Sequence, residues 1–304
     1  MLRSVNSQTI TWIDIQDPTK KDVAFLQQNF HFHPLILDEL IPPSYRPKVE
    51  HHEDYMFLVL HYPAYNKYLR ETERKELDII ITKTHVVTTH FGSALPIKSL
   101  FDKTNLYAEK KKEYLGPTTG HLLYHVISAI LSASTRKADE LENEIEKIEK
   151  DIFQGHERAM LSKISRSKRD VIDVRRILAP QEKIFVSLAA EERKYWDGNL
   201  KPYFEDIMGM YNGIWNILQE HRETLASLGE TNESLLSTKT NNIISALTII
   251  TAMSLPAMTI TSIWGMRTNY MPLMNARNDF WIIISIIAIA EVVAYYILHR
   301  KGWV

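Results

Sequence analysis

Residues 243–264, IISALTIITAMSLPAMTITSIW, and residues 280–298, FWIIISIIAIAEVVAYYIL, decide how the rest of the chain is read. The first run holds no charged residue, and at about 1.5 Å rise per helical residue it matches a hydrocarbon core of about 30 Å. The second is almost wholly aliphatic and aromatic, interrupted by one acid, Glu291. Between them, Gly265-Met266-Arg267-Thr268-Asn269-Tyr270-Met271-Pro272 has room for little except a tight connection, so both chain ends are expected on one side of a bilayer. His299, Arg300 and Lys301 follow the second run and Lys239 precedes the first. The positive-inside tendency then puts both termini in the cytoplasm and the hairpin in the cell (inner or plasma) membrane. Arg267 and Arg277, set against Asp279, weaken that bias without reversing it. The competing reading, a buried helical hairpin of a soluble protein, has to explain so long a stretch without a charge.

Working outward, 24% of the residues are charged, so the membrane part is a small anchor on a large water-soluble body. The residues before the first run suffice for one or two domains with cores of their own. A formal net charge of -1 gives no support to nucleic-acid binding. With no cysteine, disulfides and thiolate metal sites are excluded, in keeping with a reducing compartment. Residues 1–12 lack the apolar core of a signal peptide, so the hairpin is expected to act as its own insertion signal.

Residues 9–15 alternate as a half-buried strand does, Asp17-Pro18-Thr19 punctuates, and a helix is predicted over residues 20–29. Residues 55–60, 77–82 and 85–89 read as strands, the last two joined by a tight turn at Lys83-Thr84. Residues 92–96 interrupt the pattern, and residues 116–120 form a loop. Beyond Gly120 the signal is helical throughout. Residues 121–151 end in an acidic half and residues 163–176 are basic, with Gly155 between, which suits either an antiparallel pair with complementary faces or two separately solvated ones. From Pro202 to Gly265 the one further proline is Pro256, so a single helix about 95 Å long is expected, entering the membrane as its first span. Gly209 and Gly213, four apart, would mark a close helix contact.

The fold class is therefore an α+β membrane protein: an α/β domain (1–120), a helical hairpin region (121–200), a stalk helix (201–242), a first span (243–264), an outer loop (265–279), a second span (280–298) and a basic tail (299–304). Gly265-Met266 followed by Tyr270-Met271-Pro272 resembles the signature loop of the CorA magnesium-transporter family, usually Gly-Met-Asn with Met-Pro a few residues on. The resemblance extends to Arg46-Pro47-Lys48-Val49-Glu50 with Asp54-Tyr55, the helix at Pro180, and Tyr203-Phe204-Glu205-Asp206. It continues through Thr240-Asn241 to the tail Lys301-Gly302-Trp303-Val304. It implies a homopentamer in membrane lipid, with a cytoplasmic α/β domain, a stalk continuing as the pore-lining span, and divalent cations, Mg²⁺ first, passing hydrated down the axis. Aligned without gaps from the signature loop, the implied pore positions are Asn241, Ile244, Leu247, Thr251, Leu255, Met258, Ser262 and Gly265. Their spacing puts them on one helix face.

Two departures bear on the mouth formed by Gly265, Met266, Arg267 and Asn269. Arg267 stands where the family has asparagine, and Leu273 where an acid usually follows Met-Pro. A dication about 6 Å from each of five guanidinium groups is repelled by about 7 kcal/mol in all at the dielectric of water, before salt screens it. Either these side chains turn outward, or Asn269 supplies the mouth amide, or conduction is poor. The family's regulatory metal site is half present: Asp206 matches on the stalk, but residues 92–100 offer Leu95 and Lys98 and no acid. His51-His52, and His121 with His125, could belong to a zinc site or to ordinary packing. Glu291 is either a functional intramembrane acid or close enough to the interface to be hydrated. No phosphate loop or nucleophile elbow occurs, so an enzyme reading has no residue to rest on. The expected function is Mg²⁺ transport, with a non-conducting CorA-like scaffold, or transport of Co²⁺, Ni²⁺ or Zn²⁺, as the alternatives.

Overall fold

The computed structural model describes residues 1–41, 43–44, 46–66, 71–190, 195–196, 199–266 and 278–303. In chain order the elements begin with β1 (Leu2–Asn6), β2 (Thr11–Gln16), α1 (Lys20–Asn29), α2 (Pro34–Glu39), β3 (Lys48–His51), β4 (Met56–Asn66), β5 (Glu71–Ile81) and β6 (His85–His90). Helices follow: α3 (Leu95–Leu106), α4 (Ala108–Leu115), α5 (Thr119–Phe153), α6 (Glu157–Leu178), α7 (Glu182–Ala190), α8 (Lys201–Gly265) and α9 (Asp279–Arg300). They fall into two compact units, Met1–Gly229 and Glu230–Val304.

The first unit is built on a six-stranded sheet of order β1-β2-β6-β5-β4-β3. β2 and β6 run parallel and the other neighbours antiparallel. On one face Ile13, Ile15, Phe57, Val59, Ile80 and Val87 pack with Leu26, Ile36, Leu37 and Leu40 of the α1–α2 segment. Helices α3, α5 and α6 pack against the sheet as well, and the Trp12 and Phe101 rings meet edge to face at 4.9 Å. Residues 9–15 are therefore not half-buried as expected: both faces of β2 are covered. Its polar residue has to be paired instead, and Asp14 takes Arg3 and the Thr88 hydroxyl, each at 2.6 Å.

Local chemistry fixes the ends. Thr19 and Asp22 close a capping box that starts α1 at Lys20. The Thr82 hydroxyl accepts from the Thr84 and His85 amides, tightening the turn between β5 and β6. β3 pairs with β4 only up to Val59, and beyond it the Gln181 side chain takes the place of a strand: its amide oxygen accepts from the His61 N–H at 3.0 Å and its nitrogen donates to the His61 carbonyl at 2.7 Å. Gly120 is where α5 is approached closely, since a Cβ there would lie 2.1 Å from Leu200.

Helices α5 and α6 pack against each other. Leu141, Ile145, Ile148 and Ile152 are buried on one, Met160, Ile164, Val171 and Val174 on the other, so the seam is apolar, with Lys163 reaching Asp151 at 3.0 Å near the turn. Along α8 in the first unit, Phe204, Ile207, Tyr211, Ile214, Leu218, His221, Leu225 and Leu228 are buried at alternating steps of three and four, the pattern of a coiled-coil seam. Gly209 and Gly213 lie off that seam, and a Cβ at either meets nothing within 4 Å among the described residues of its own chain.

Candidate functional site

Helices α8 and α9 are long and apolar enough to cross a membrane, and the most apolar stretch of each has no buried residue. Ile243 and Met258 are each 70% exposed. A soluble hairpin would hide such side chains, so the soluble reading of these runs fails.

What burial there is follows one face of each helix. On α8 the half-buried positions from residue 249 onward are Ile249, Ala252, Met253, Pro256, Ala257, Ile260 and Trp264. On α9, beyond its first residue Asp279, they are Ile283, Ile286, Ile287, Ala290, Glu291 and Ala294, ending at buried Leu298. Both series step by one, three and four, and both lie in the same compact unit, which is how the seam of a helical hairpin looks. Pro256, which removes one ladder hydrogen bond, sits on that stripe. Glu291 does too, facing neither of the exposed sides of α9.

Asn241, Ile244, Leu247, Thr251, Leu255, Met258, Ser262 and Gly265 are all exposed. At about 100° per residue they cluster roughly opposite the half-buried stripe of α8. The hydroxyls on this helix turn back onto it: Thr251 donates to the Leu247 carbonyl at 2.8 Å, and Thr248, Ser254, Thr259 and Thr261 do the same four residues back. With its proton spent on the helix, the Thr251 oxygen presents lone pairs outward and acts as an acceptor. This geometry was not visible in the residue types alone. Helix α8 ends at Gly265, and the Met266 amide donates to the Ile263 carbonyl at 3.2 Å. Arg267 and Asn269, and with them the expected mouth, lie outside the described residues.

Asp206 is exposed on α8 and accepts a 2.8 Å hydrogen bond from the Tyr124 hydroxyl. Burial first, and then the Asp206 carboxylate, push the Tyr124 hydroxyl up. Tyr124 is a partner that sequence could not name, being 82 residues away with no motif to link them. The Tyr203 ring stacks edge to face with His121 and with Tyr124, each at 5.1 Å, and His125 packs against Tyr114 and Tyr124. Burial pushes His121 and His125 down, as expected of rings in an aromatic cluster. His52 stacks on Tyr55, and His51 contacts Ser187 at 3.3 Å. Among the described residues no three of His, Asp and Glu come together in one chain to hold a metal.

The family model of the CorA-like Mg²⁺ transporter protein matches residues 7–300. The cobalt/magnesium transport protein CorA of Thermotoga maritima is 26% identical over 302 residues, covering 98% of this chain and 84% of that one. Its counterpart in Methanocaldococcus jannaschii is 26% identical over 305 residues, covering 99% and 93%. The complete structure of the CorA magnesium transporter from Methanocaldococcus jannaschii superimposes with a TM-score of 0.84 at 25% identity, over 99% of this chain and 94% of that one. The full-length CmaX protein shares the fold, with a TM-score of 0.76 at 17% identity. With a sheet domain, a 65-residue helix and a second apolar helix in the same order, the chain belongs to the CorA-like Mg²⁺ transporter family.

Proposed function

We propose that this chain is one subunit of a homopentameric channel that passes hydrated Mg²⁺ across a cell membrane down its electrochemical gradient. The observation that carries the reading is the exposed face of α8 running from Asn241 to Ser262, opposite the hairpin stripe and left uncovered by its own chain. Copies arranged about an axis would cover it. In this reading residues 1–242 are cytoplasmic, with residues 201–242 as the stalk. Residues 243–264 line the pore, 265–279 form the outer loop, 280–298 face lipid and 299–304 return to the cytoplasm.

A hydrated dication points the hydrogens of its water outward, so the walls it passes need acceptors. Thr251, its proton already donated to Leu247, offers them, and the Asn241 amide oxygen does so at the inner end. Ile244, Leu247, Leu255 and Met258 supply apolar rings that close the path by dewetting. Gly265, Met266, Arg267 and Asn269 form the mouth. A regulatory dication at Asp206 would first displace Tyr124. Two relatives are cobalt/magnesium transport proteins, which makes Co²⁺ the next ion to test, ahead of Ni²⁺ and Zn²⁺.

Arg267 in place of asparagine, with Leu273 in place of an acid, favours a second reading, a non-conducting scaffold of the same architecture. Flux into liposomes separates the two. The channel reading expects Mg²⁺ uptake by the unaltered protein, faster in Arg267→Asn, with the competing dications ranked in the same assay. No uptake by the unaltered protein, and uptake in Arg267→Asn, would leave the scaffold standing.

A further inference from the structure

Pro256 opens a gap in the hydrogen-bond ladder of α8. Having no N–H, it deprives the Ala252 carbonyl, one turn back, of its ladder donor, and both residues lie on the half-buried stripe turned toward α9. In hydrocarbon, where water does not reach a bare carbonyl, such a gap calls for a donor from elsewhere. The hydroxyls of α8 are spent: Ser254, the nearest in sequence, donates to the Ile250 carbonyl at 2.8 Å, and Thr251 and Thr259 donate to Leu247 and Leu255. The methyl group of Ala252 is too small to cover its own backbone.

The register of the hairpin says what lies across from the gap. Counted from the connected end, the half-buried positions of α8 from Trp264 to Ile249 step by 4, 3, 1, 3, 1 and 3, and those of α9 from Asp279 to Ala294 repeat the same steps in the same order. Two helices of equal rise then meet position for position, which sets Glu291 level with Ala252. The carbonyls of α8 point toward its C-terminal end and the side chains of α9 lean toward its N-terminal end, which in an antiparallel hairpin are the same end. The Glu291 carboxyl and the Ala252 oxygen are thus displaced to the same side.

Glu291 has no hydrogen bond or ion pair among the described residues. No charged residue lies between Lys239 and Arg267, and the other charged residues of α9, Asp279, His299 and Arg300, are at its two ends. Tyr295, one turn from Glu291, has its ring stacked on His299 at 5.9 Å. Two acceptors, an acid oxygen and a backbone carbonyl, therefore stand level across the seam with no donor from either helix, and what joins them has to be positively charged. We propose that it is a proton: Glu291 is held in the bilayer as the carboxylic acid, its O–H donating to the Ala252 carbonyl, so that α9 closes the gap that Pro256 makes in the helix proposed to line the pore. This rests on residues 243–298 lying in lipid and does not depend on conduction.

Infrared spectroscopy of the full-length protein in liposomes tests it, because a protonated carboxyl has a carbonyl band that a carboxylate lacks. At neutral pH the difference spectrum between the unaltered protein and Glu291→Gln is expected to show that band for this one acid. In Pro256→Ala, where the restored N–H takes the Ala252 carbonyl, the band should stay and move to the frequency of an acid without a hydrogen bond. The melting temperature should be unchanged in Glu291→Gln, whose amide still donates, and lower by about 2 °C in Glu291→Leu. In a Pro256→Ala background the same leucine should cost nothing further. The absence of an acid band from the difference spectrum overturns the proposal, and so does an equal loss in Glu291→Leu with and without Pro256. A band that appears only once Na⁺ and K⁺ are removed would overturn it in favour of a metal cation between the same two oxygens. Flotation of the same vesicles reports separately whether the chain enters lipid.

Discussion

Ile80 and Ile243 are the same side chain in two surroundings. Ile80, in the middle of the sheet, is 1% exposed, and Ile243, on α8, is 70% exposed. The first unit encloses a large apolar core within its own chain, whereas most of the apolar side chains of the second are turned outward. A single side chain's hydrophobicity does not separate these regions; the length of the apolar run and what each is folded against do. Water drives the burial of the first, whereas lipid asks of the second only that its backbone hydrogen bonds be made internally, as two helices do. The sharpest way to break this contrast is to remove large side chains from both. Trp12→Ala, in a fully buried ring against Phe101, is expected to cost about 3–5 kcal/mol. Ile289→Ala, on the exposed side of the α9 segment proposed to face lipid, is expected to cost less than about 0.5 kcal/mol. Thermal unfolding of the detergent-solubilised protein reads both, and similar losses would mean that residues 280–298 are an internal core after all.

A finer contrast lies within the sheet, between two buried aspartates. Burial pushes the Asp14 carboxyl up, but its interactions with His90, Thr88 and Arg3 together outweigh this and hold it below its ordinary 3.8. For Asp78 burial, followed by the charge of Glu76, prevails over one hydrogen bond from Thr89 and raises it well above that value. The linkage signs are opposite. Asp14 contributes stability that is present above about pH 4 and lost as pH falls through its depressed folded value. Asp78 binds a proton more tightly folded than unfolded, so its contribution declines as pH rises from about 4 through its raised value. Asp14→Asn is expected to cost about 3 kcal/mol at neutral pH, because Arg3 loses its buried partner. Asp78→Asn is expected to cost less than about 1 kcal/mol and to flatten the decline on the alkaline side. A pH series of melting temperatures for the two variants checks magnitude and sign together.

How much of this could be read from residues alone depended on whether a segment's own chemistry matched its surroundings. Helix α1 was legible to the residue because Thr19 and Asp22 cap it locally. Strand β6 was legible because its apolar residues are bounded by turn residues. Strands β1 and β3 were missed: they are the two edges of the sheet, and LRSVN and KVEH carry the mixed residues of half-exposed edges. The start of β5 was placed at Leu77 when it begins at Glu71, since its outer half, ETERKE, forms part of an exposed hairpin rather than core. Pro96 read as an interruption, yet it sits in the first turn of α3, where a missing N–H costs nothing. At the candidate pathway the eight positions on α8 came from the resemblance to the family's signature loop, and their spacing put them on one helix face. The direction of the α8 hydroxyls and the bond between Tyr124 and Asp206 were not legible, because both depend on backbone geometry or on distant elements meeting.

The smallest effect tests the face of α8 itself. Thr251 and Thr261 make the same bond to their own helix, to Leu247 and to Ala257 at 2.8 Å, so losing either hydroxyl should affect folding alike and little. They differ in direction, Thr251 lying in the middle of the proposed pore face and Thr261 about a quarter turn away from it. Valine has nearly the same shape as threonine and removes the acceptor. If a hydrated dication passes Thr251, one water hydrogen bond per subunit is lost in Thr251→Val, and Mg²⁺ flux into liposomes should fall about five- to tenfold, the equivalent of about 1 kcal/mol. Thr251→Ser should restore it, and Thr261→Val should leave flux unchanged. Flux unchanged in both valine variants would mean that ions do not pass this face. An equal fall in both would locate the effect in the helix rather than in what travels along it.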